Sequence, residues 1–331
     1  MSALPPLLQG YFIDRLGSQR DASPNTIASY RDSFRLLLEF LHQQTGKAPS
    51  KLQLEDLDAT RITAFLAYLE NERSNSVRTR NARLTAIHSF FQYAALKAPE
   101  CSEQIARVLA IPEKRHDSTL INYLTEPEID ALLAAPDRST PTGRRDHALL
   151  LLAVQTGLRA SELAGLRCQD LNLAAGAWVR CHGKGRKERC TPLTRTTVRV
   201  LHVWLRELDG NPAGPLFPSR TGGHLTRSAI WRLVVKHTTT ARSRCESLAA
   251  KNITPHALRH TTAMRLLRAP EPVDTATIAI WLGHETLDTT NKYLHADMEL
   301  KQRALDRTTP TNAKPGRYRP PDRLLAFLES L

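Results

Sequence analysis

The sequence predicts a mainly α protein with a small antiparallel β-sheet, divided into two domains. A chain of 331 residues is long enough for two compact domains that each bury a core. Apolar residues recur at three- and four-residue steps along much of the chain, which is the period of amphipathic helices. Between residues 171 and 193 the pattern changes to short strand-like runs around a Gly- and Lys-rich turn, which predicts one hairpin.

The first domain is predicted to span residues 1–110 and to be entirely helical. Ser23 precedes Pro24 as an N-cap before proline at the first helical position, and the apolar period that follows runs to Gly46. Thr60 is predicted to open a second helix, and a third helix follows the polar turn at residues 74–76.

The first turns of that third helix carry side chains suited to nucleic acid. Arginine binds phosphates and guanine edges, and asparagine can pair with adenine. The residues expected to contact DNA are Arg78, Arg80, Asn81 and Arg83. The alternative is that they form a solvated charged face.

A linker is predicted at residues 111–122, because Ala110–Ser118 has no hydrophobic period and contains a proline and several charges. The second domain then covers residues 123–305, and residues 306–331 form a tail. That tail ends in Arg323–Leu331, a short apolar segment that predicts a helix too small to be stable alone.

The second domain is expected to consist of helices with one hairpin between them. Thr125 and Glu128 form a capping-box pattern at its first helix. Glycine after an apolar run is a common helix end, and Gly157 stands in that position. The further predicted helices are 145–155, 195–208, 226–240, 255–267 and 275–282, and the predicted strands are 177–182 and 188–193.

Composition favours a polyanionic partner. Forty-six Lys and Arg against 33 Asp and Glu give a formal charge of +13 and a pI near 9.8. A basic protein with no role on nucleic acid is the alternative. Five cysteines without C-x-x-C spacing argue against disulfides and zinc, and no apolar run is long enough for a membrane span. We therefore expect a cytoplasmic, nucleoid-associated bacterial protein with no metal and no cofactor.

An ordered set of residues in the second domain has the chemistry needed to cut a DNA phosphodiester. Arginine forks neutralise phosphate oxygens, a phenol can act as the nucleophile, and a lysine can protonate the leaving oxygen. Thr254 and Pro255 start a helix, so His256 and Arg259 lie one turn apart at an end that favours anions. The set is Arg159, Lys184, His256, Arg259, His284 and Tyr293.

This ordered set resembles the tyrosine recombinase (phage integrase) family. The match lies in the box around Arg159, the hairpin lysine Lys184, the H-x-x-R of His256 and Arg259, and Leu282-Gly283-His284 with Tyr293 nine positions later. The resemblance implies that Arg159, Arg259 and His284 bind the phosphate. It makes His256 a proton acceptor or hydrogen-bond partner, Lys184 the general acid and Tyr293 the nucleophile.

Other residues take supporting roles in the resemblance. Glu162 would be the acid that supports the first arginine, and His260 a packing or supporting residue. Arg186 and Lys187, beside Lys184 at the basic hairpin tip, are expected to contact DNA. Tyr318 is a rival tyrosine, but nothing around it resembles the family's tyrosine box.

The family resemblance also implies an architecture and partners. A helical core-binding (SAM-like) domain and an α+β catalytic domain would form a DNA clamp. They would act on duplex DNA with specific recombination sites, as a dimer on each site and a homotetramer on two. A partner recombinase is possible, and the apolar segment Arg323–Leu331 would dock in cis or in a neighbouring protomer.

Two alternatives remain at the sequence level. A type IB topoisomerase shares the chemistry but does not depend on a site, and a DNA-binding protein could keep the scaffold without catalysis. Within the recombinases, the length favours a simpler Xer-like, integron-like or transposon-borne enzyme, with no room for an arm-binding domain, and a mobile-element origin is slightly favoured. Target sequence, directionality and accessory factors are not predicted.

Overall fold

The computed structural model describes residues 2–115, 121–183, 188–208, 210–284, 286–287, 289–291 and 293. The chain divides into two compact units, Met1–Thr119 and Leu120–Leu331. Each unit has its own hydrophobic core.

The first unit is helical throughout its described part. Its helices are α1 Leu4–Gly10, α2 Pro24–Thr45, α3 Ala59–Asn71, α4 Val77–Ala94 and α5 Ser102–Leu109. A π-helical stretch, Tyr11–Gln19, continues directly from α1. Edge-to-face aromatic rings pack at the centre. The ring centroids of Phe34 and Phe90 lie 5.2 Å apart, and those of Tyr11 and Phe90 lie 5.5 Å apart.

Capping residues define where these helices begin and end. Ser23 Oγ accepts a hydrogen bond from the backbone N–H of Thr26, and Gly46 ends α2 with a φ of 70°. Helix α3 begins one residue before the predicted Thr60, because the Asp58 carboxylate caps it. The aspartate satisfies a free N–H of the first turn, which the sequence period did not reveal.

The first residues of the predicted linker pack on the first unit. Arg80 Nη1 donates to the Pro112 carbonyl at 3.0 Å, and Asn81 Nδ2 donates to the Lys114 carbonyl at 2.8 Å. The Lys114 N–H donates back to Asn81 Oδ1 at 3.1 Å. The chain is therefore held against α4 as far as Lys114, and residues 116–120 lie outside the described part.

The second unit combines helices with a small sheet. Its helices are α6 Glu126–Leu133, α7 Pro141–Thr156, α8 Ala160–Gly165, α9 Arg195–Leu205, α10 Arg227–Arg242, α11 Pro255–Leu267 and α12 Thr275–Leu282. Its strands are β1 Leu171–Asn172, β2 Trp178–His182 and β3 Glu188–Pro192. Helix α7 lies in the core, where Leu149, Leu150 and Leu152 are buried, and packs against α9 and α11.

The three strands form an antiparallel sheet in the order β1, β2, β3. Strands β2 and β3 pair in register, with Val179 opposite Thr191 and His182 opposite Glu188. The predicted hairpin and fold class are thus confirmed, and the two-residue β1 adds an edge that the sequence did not indicate. Among the described residues, no helix has the length and apolarity to cross a membrane.

Candidate active site

The site begins where α7 ends. Gly157 ends the helix with a φ of 66°, a left-handed conformation that side chains other than glycine rarely adopt. A Cβ there would lie 2.5 Å from Leu282 Cδ2, so glycine is also required by the close approach of α12. The turn places Arg159 at the N-cap of α8.

Arg159 is held by Glu162 on the same short helix. The Arg159 N–H donates to Glu162 Oε2 at 2.7 Å, and Arg159 Nη1 donates to Oε1 at 2.9 Å. Burial favours the neutral acid, but the hydrogen bonds and charge of Arg189, with those of Arg159, outweigh it and lower the pKa of Glu162. The carboxylate is therefore ionised and holds Arg159 in place.

Arg189 on β3 is a site residue to which the sequence analysis gave no role. Its Nη1 and Nη2 donate to the two oxygens of Glu162 at 3.0 and 2.8 Å, and its Nε donates to the Trp281 carbonyl at 3.2 Å. A signal was present in the strand: Arg189 and Thr191 alternate on the inward side, and a charge that faces inward needs an opposite partner.

Arg259 lies at the bottom of the site and is 1% exposed. Helix α11, capped by Thr254, carries it to within 2.8 Å of the Gly157 carbonyl and 2.6 Å of the Leu282 carbonyl, to which Nη1 and Nη2 donate. Burial, together with the nearby charge of Arg159, lowers the pKa of Arg259 to about 10. The guanidinium is still charged at neutral pH.

The chain turns sharply after α12. Gly283 has a φ of 65°, and its carbonyl accepts a hydrogen bond from Arg159 Nη2 at 3.0 Å. The next residue, His284, has its Nδ1 2.6 Å from Thr290 Oγ1. Both arginines of the predicted set therefore contact the turn that leads to His284.

Tyr293 is 1% exposed and lies beside two histidines. Its hydroxyl is hydrogen-bonded to His260 Nδ1 at 2.9 Å, and its ring stacks on that of His284 at 6.3 Å and 17°. Burial raises the pKa of Tyr293 to about 12, although the positive charges of Arg259 and Arg159 act in the opposite direction. The phenol is protonated at neutral pH.

A cleft of about 830 Å³ contains three of the predicted residues. Arg159, His256 and Arg259 line it, together with the first turns of α8, α10 and α11. His256 is exposed there, and its ring lies 4.3 Å from that of His260. Helix N-termini and guanidinium groups both attract anions, so this cleft is suited to a phosphate.

Not every predicted residue lies in this group. Lys184, Arg186 and Lys187 lie outside the described residues, as do Tyr318 and Arg323–Leu331. No group of three or more His, Cys, Asp or Glu side chains suited to a metal lies in the described part of the chain.

The predicted DNA contacts of the first unit differ from one another. Arg80 and Asn81 are 5% and 7% exposed and are hydrogen-bonded to residues 112–114, so these two hold the chain and do not face solvent. Arg78 is exposed, and Arg83 is half-buried. Burial, and the charge of Arg73 nearby, lower the pKa of Arg83. The expected DNA-contacting group is therefore reduced to Arg78 and Arg83.

Comparisons with known proteins place the chain in a family. Residues 122–299 match the model of the phage integrase family, and residues 10–97 match that of the phage integrase N-terminal SAM-like domain. A putative integrase/recombinase, y4rC, of Sinorhizobium fredii is 55% identical over 330 residues, covering 100% of this chain and 99% of that protein. Tyrosine recombinase XerC of Pelobacter propionicus is 33% identical and covers 91% of this chain and 94% of its own.

The fold also matches solved structures. The XerH site-specific recombinase, in a post-cleavage complex with a palindromic difH substrate, superposes with a TM-score of 0.66. It is 24% identical, and the match covers 87% of this chain and 81% of that one. The chain belongs to the phage integrase family of tyrosine recombinases.

Proposed function

We propose that this protein is a site-specific DNA recombinase that cuts and rejoins DNA through a 3′-phosphotyrosyl ester at Tyr293, without a metal or ATP. The observation that carries the proposal is the shared turn after α12. Arg159 and Arg259 from two separate boxes both donate to its carbonyls, at Gly283 and Leu282, and the chain from that turn leads to His284 and Tyr293.

The proposed chemistry needs only groups of this chain and the DNA. The Tyr293 oxygen bonds to phosphorus while the bond from phosphorus to the 5′ oxygen breaks, so the energy of the phosphodiester is kept for rejoining. Arg159, Arg259 and His284 bind the non-bridging oxygens, and His256 accepts the phenol proton or a hydrogen bond. Lys184 gives a proton to the departing 5′ oxygen.

The substrate is duplex DNA, and both parts of the chain take part in binding. The division proposed is a core-binding domain at residues 1–110, a linker at 111–122, a catalytic domain at 123–305 and a tail at 306–331. The cationic cleft and the formal charge of +13 support a phosphate backbone as partner. The 55% identity with a putative integrase/recombinase supports a role in DNA recombination.

Assembly is proposed to follow the pattern expected of strand exchange, with a dimer on each site and a homotetramer on two sites. The apolar segment Arg323–Leu331 is proposed to dock on a neighbouring protomer. Its deletion should leave binding to one site intact and weaken the pairing of two sites, measured by gel shift with one-site and two-site DNA. Unchanged recombination would reject this role.

Covalent trapping tests the function directly. Duplexes that the protein selects from a random-sequence library supply the site, and a nick near the cleavage position lets the short product diffuse away. We expect a denaturant-resistant protein–DNA adduct that also forms in EDTA, because arginines perform the charge neutralisation that a metal supplies elsewhere.

The matched control uses a second tyrosine of the same unit. Tyr293→Phe should form no adduct while still binding DNA, and Tyr123→Phe, which keeps the ring that faces Lys251 and Arg268, should form it normally. An adduct in Tyr293→Phe, or none with the unaltered protein, would refute the proposal. Equal relaxation of supercoiled plasmids with and without the site would favour a type IB topoisomerase instead.

A further inference from the structure

Three arginines converge on the last carbonyls of α12. Arg189 Nε donates to the Trp281 carbonyl at 3.2 Å, Arg259 Nη2 to the Leu282 carbonyl at 2.6 Å, and Arg159 Nη2 to the Gly283 carbonyl at 3.0 Å. Carbonyls at a helix C-terminus lack intrahelical partners and carry the negative end of the dipole, so cations stabilise them. The three arginines come from three different elements.

Arg189 differs from Arg159 and Arg259 in the hydrogen-bond partners of its guanidinium group. Both of its terminal nitrogens donate to Glu162 and its Nε donates to Trp281, while its side chain is only 12% exposed. A guanidinium engaged on both edges by protein atoms is poorly placed to bind DNA as well. Any effect of Arg189 on strand cleavage must therefore act through the groups that it touches.

The groups that Arg189 touches lie on both sides of the site. Glu162 holds Arg159, so one carboxylate joins the first arginine box to the hairpin strand. On the other side Arg189 packs at Gly283, where an added Cβ would lie 2.9 Å from its Nη1. That glycine is where the chain leaves α12 towards His284.

We propose, given the function proposed above, that Arg189 is a positioning residue for strand cleavage. By joining the Glu162 carboxylate to the end of α12, it fixes Arg159 relative to the turn that carries His284 and leads to Tyr293. Without Arg189, the position of Arg159 is no longer fixed relative to the turn that leads to Tyr293.

The test compares Arg189→Gln and Arg189→Lys with a matched arginine on the neighbouring strand. Arg180→Gln removes a half-exposed arginine of β2 whose Nη2 lies 3.5 Å from Asp170 Oδ1. For each variant we would measure affinity for a one-site duplex and the rate of adduct formation on the nicked duplex across pH. We expect affinities within about twofold of the unaltered protein and an adduct rate at least tenfold lower in Arg189→Gln, with Arg180→Gln unchanged.

The pH profile separates positioning from mere destabilisation. Glu162 is faced by Arg159 from its own helix, Arg189 from β3, Cys181 from β2 and Arg259 from α11. Removing Arg189 raises the pKa of Glu162, so the variant should lose activity as pH falls through a range where the unaltered protein stays active. Loss of folded protein would lower the rate by the same factor at every pH in that range.

Arg189→Lys keeps the charge but loses the planar fork, so its pH profile should lie between those of the unaltered protein and Arg189→Gln. It also serves as the test if Arg189→Gln does not fold. A normal rate with an unshifted profile in Arg189→Gln, or in Arg189→Lys in its place, would overturn the inference. So would an equal loss in Arg180→Gln. If the unaltered protein forms no adduct, the proposed function itself fails.

Discussion

Tyr293 is held in a protonated, hydrogen-bonded state beside His260. A phenol with a pKa of about 12 is a weak nucleophile at neutral pH, so in the proposed reaction its proton must leave as the bond to phosphorus forms. His260, which the sequence analysis treated as a packing or supporting residue, is the group that contacts the hydroxyl. The proton acceptor expected from the sequence, His256, lies next to it with a ring distance of 4.3 Å.

Alkaline titration checks the state of this phenol. Burial raises the pKa of Tyr11 and the pKa of Tyr293 to about 12. Tyr293→Phe should remove one late-titrating phenol from the absorbance curve of the folded protein, and Tyr11→Phe should remove another. A curve in which Tyr293→Phe removes a phenol titrating near 10 would contradict the burial described here.

The same shift predicts a dependence of stability on pH. The folded pKa of Tyr293 exceeds the unfolded value of 10, so its contribution is complete below that pH and is lost as pH rises through about 12. The loss amounts to about 2–3 kcal/mol at most. The free energy of unfolding, measured with denaturant at pH 8 and pH 11, should therefore fall less between these two pH values in Tyr293→Phe than in the unaltered protein.

Gly157 gives a third prediction at the residue scale. Gly157→Ala combines left-handed strain, about 1–2 kcal/mol, with a Cβ placed 2.5 Å from Leu282 Cδ2, and overpacking adds about 1–3 kcal/mol. Gly176 has a φ of 74° and open space around it, so Gly176→Ala carries only the strain. The free energy of unfolding, measured with denaturant, should be clearly lower for Gly157→Ala than for Gly176→Ala. Equal losses in the two variants would show that α12 moves away from the added Cβ at no cost.

Part of the candidate site could be predicted from the sequence. The ordered motifs selected Arg159, His256, Arg259, His284 and Tyr293, which the structure brings to one region. They could not show that Arg189 joins it or that Arg80 and Asn81 are buried. Most of the carbonyls and carboxylates that engage these guanidinium groups lie 23 to 124 positions away along the chain, which no local pattern encodes.

At the scale of elements, caps located the helices well. Helices α11 and α12 have the predicted bounds, 255–267 and 275–282. Thr254 and Pro255 start α11, as expected, and Gly283 ends α12, because these residues act through local backbone geometry. Helix α7 starts four residues earlier than expected, at Pro141, where Thr140 accepts the N–H of Gly143. The hydrophobic period did not show this start, because the charged residues Arg144 and Arg145 interrupt the period near the beginning of α7.

The segment held by α4 supplies a prediction about an element. Asn81→Ala removes the side chain that accepts from the Lys114 N–H and donates to its carbonyl, so residues 112–114 should loosen. Trypsin should then cut at Lys114 or Arg115 several times faster. Arg78→Ala is the matched control, because that exposed side chain should affect DNA affinity and leave the cutting rate unchanged. Equal cutting in both variants would argue against a held segment.

At the scale of the whole molecule, the charge of +13 predicts a strong salt dependence of DNA binding. Each neutralised phosphate contributes about −0.9 to the slope of log affinity against log salt. With about 6–10 contacts, affinity should fall by about 10³–10⁵ between 50 and 200 mM salt. Fluorescence anisotropy on a selected duplex measures this, and Arg78→Ala should flatten the slope by about one. A slope near zero would contradict binding through the backbone.

Arg159 and Arg189 both donate to the carboxylate of Glu162, and Arg259 interacts electrostatically with the same group, so three cations lie near one carboxylate at this cleft. Such a cleft is a natural host for small tetrahedral oxyanions, since these relieve the mutual repulsion of the guanidinium groups. Sulfate or inorganic phosphate in a buffer would therefore raise the melting temperature and compete with the substrate. Kinetic work on this enzyme belongs in chloride or acetate.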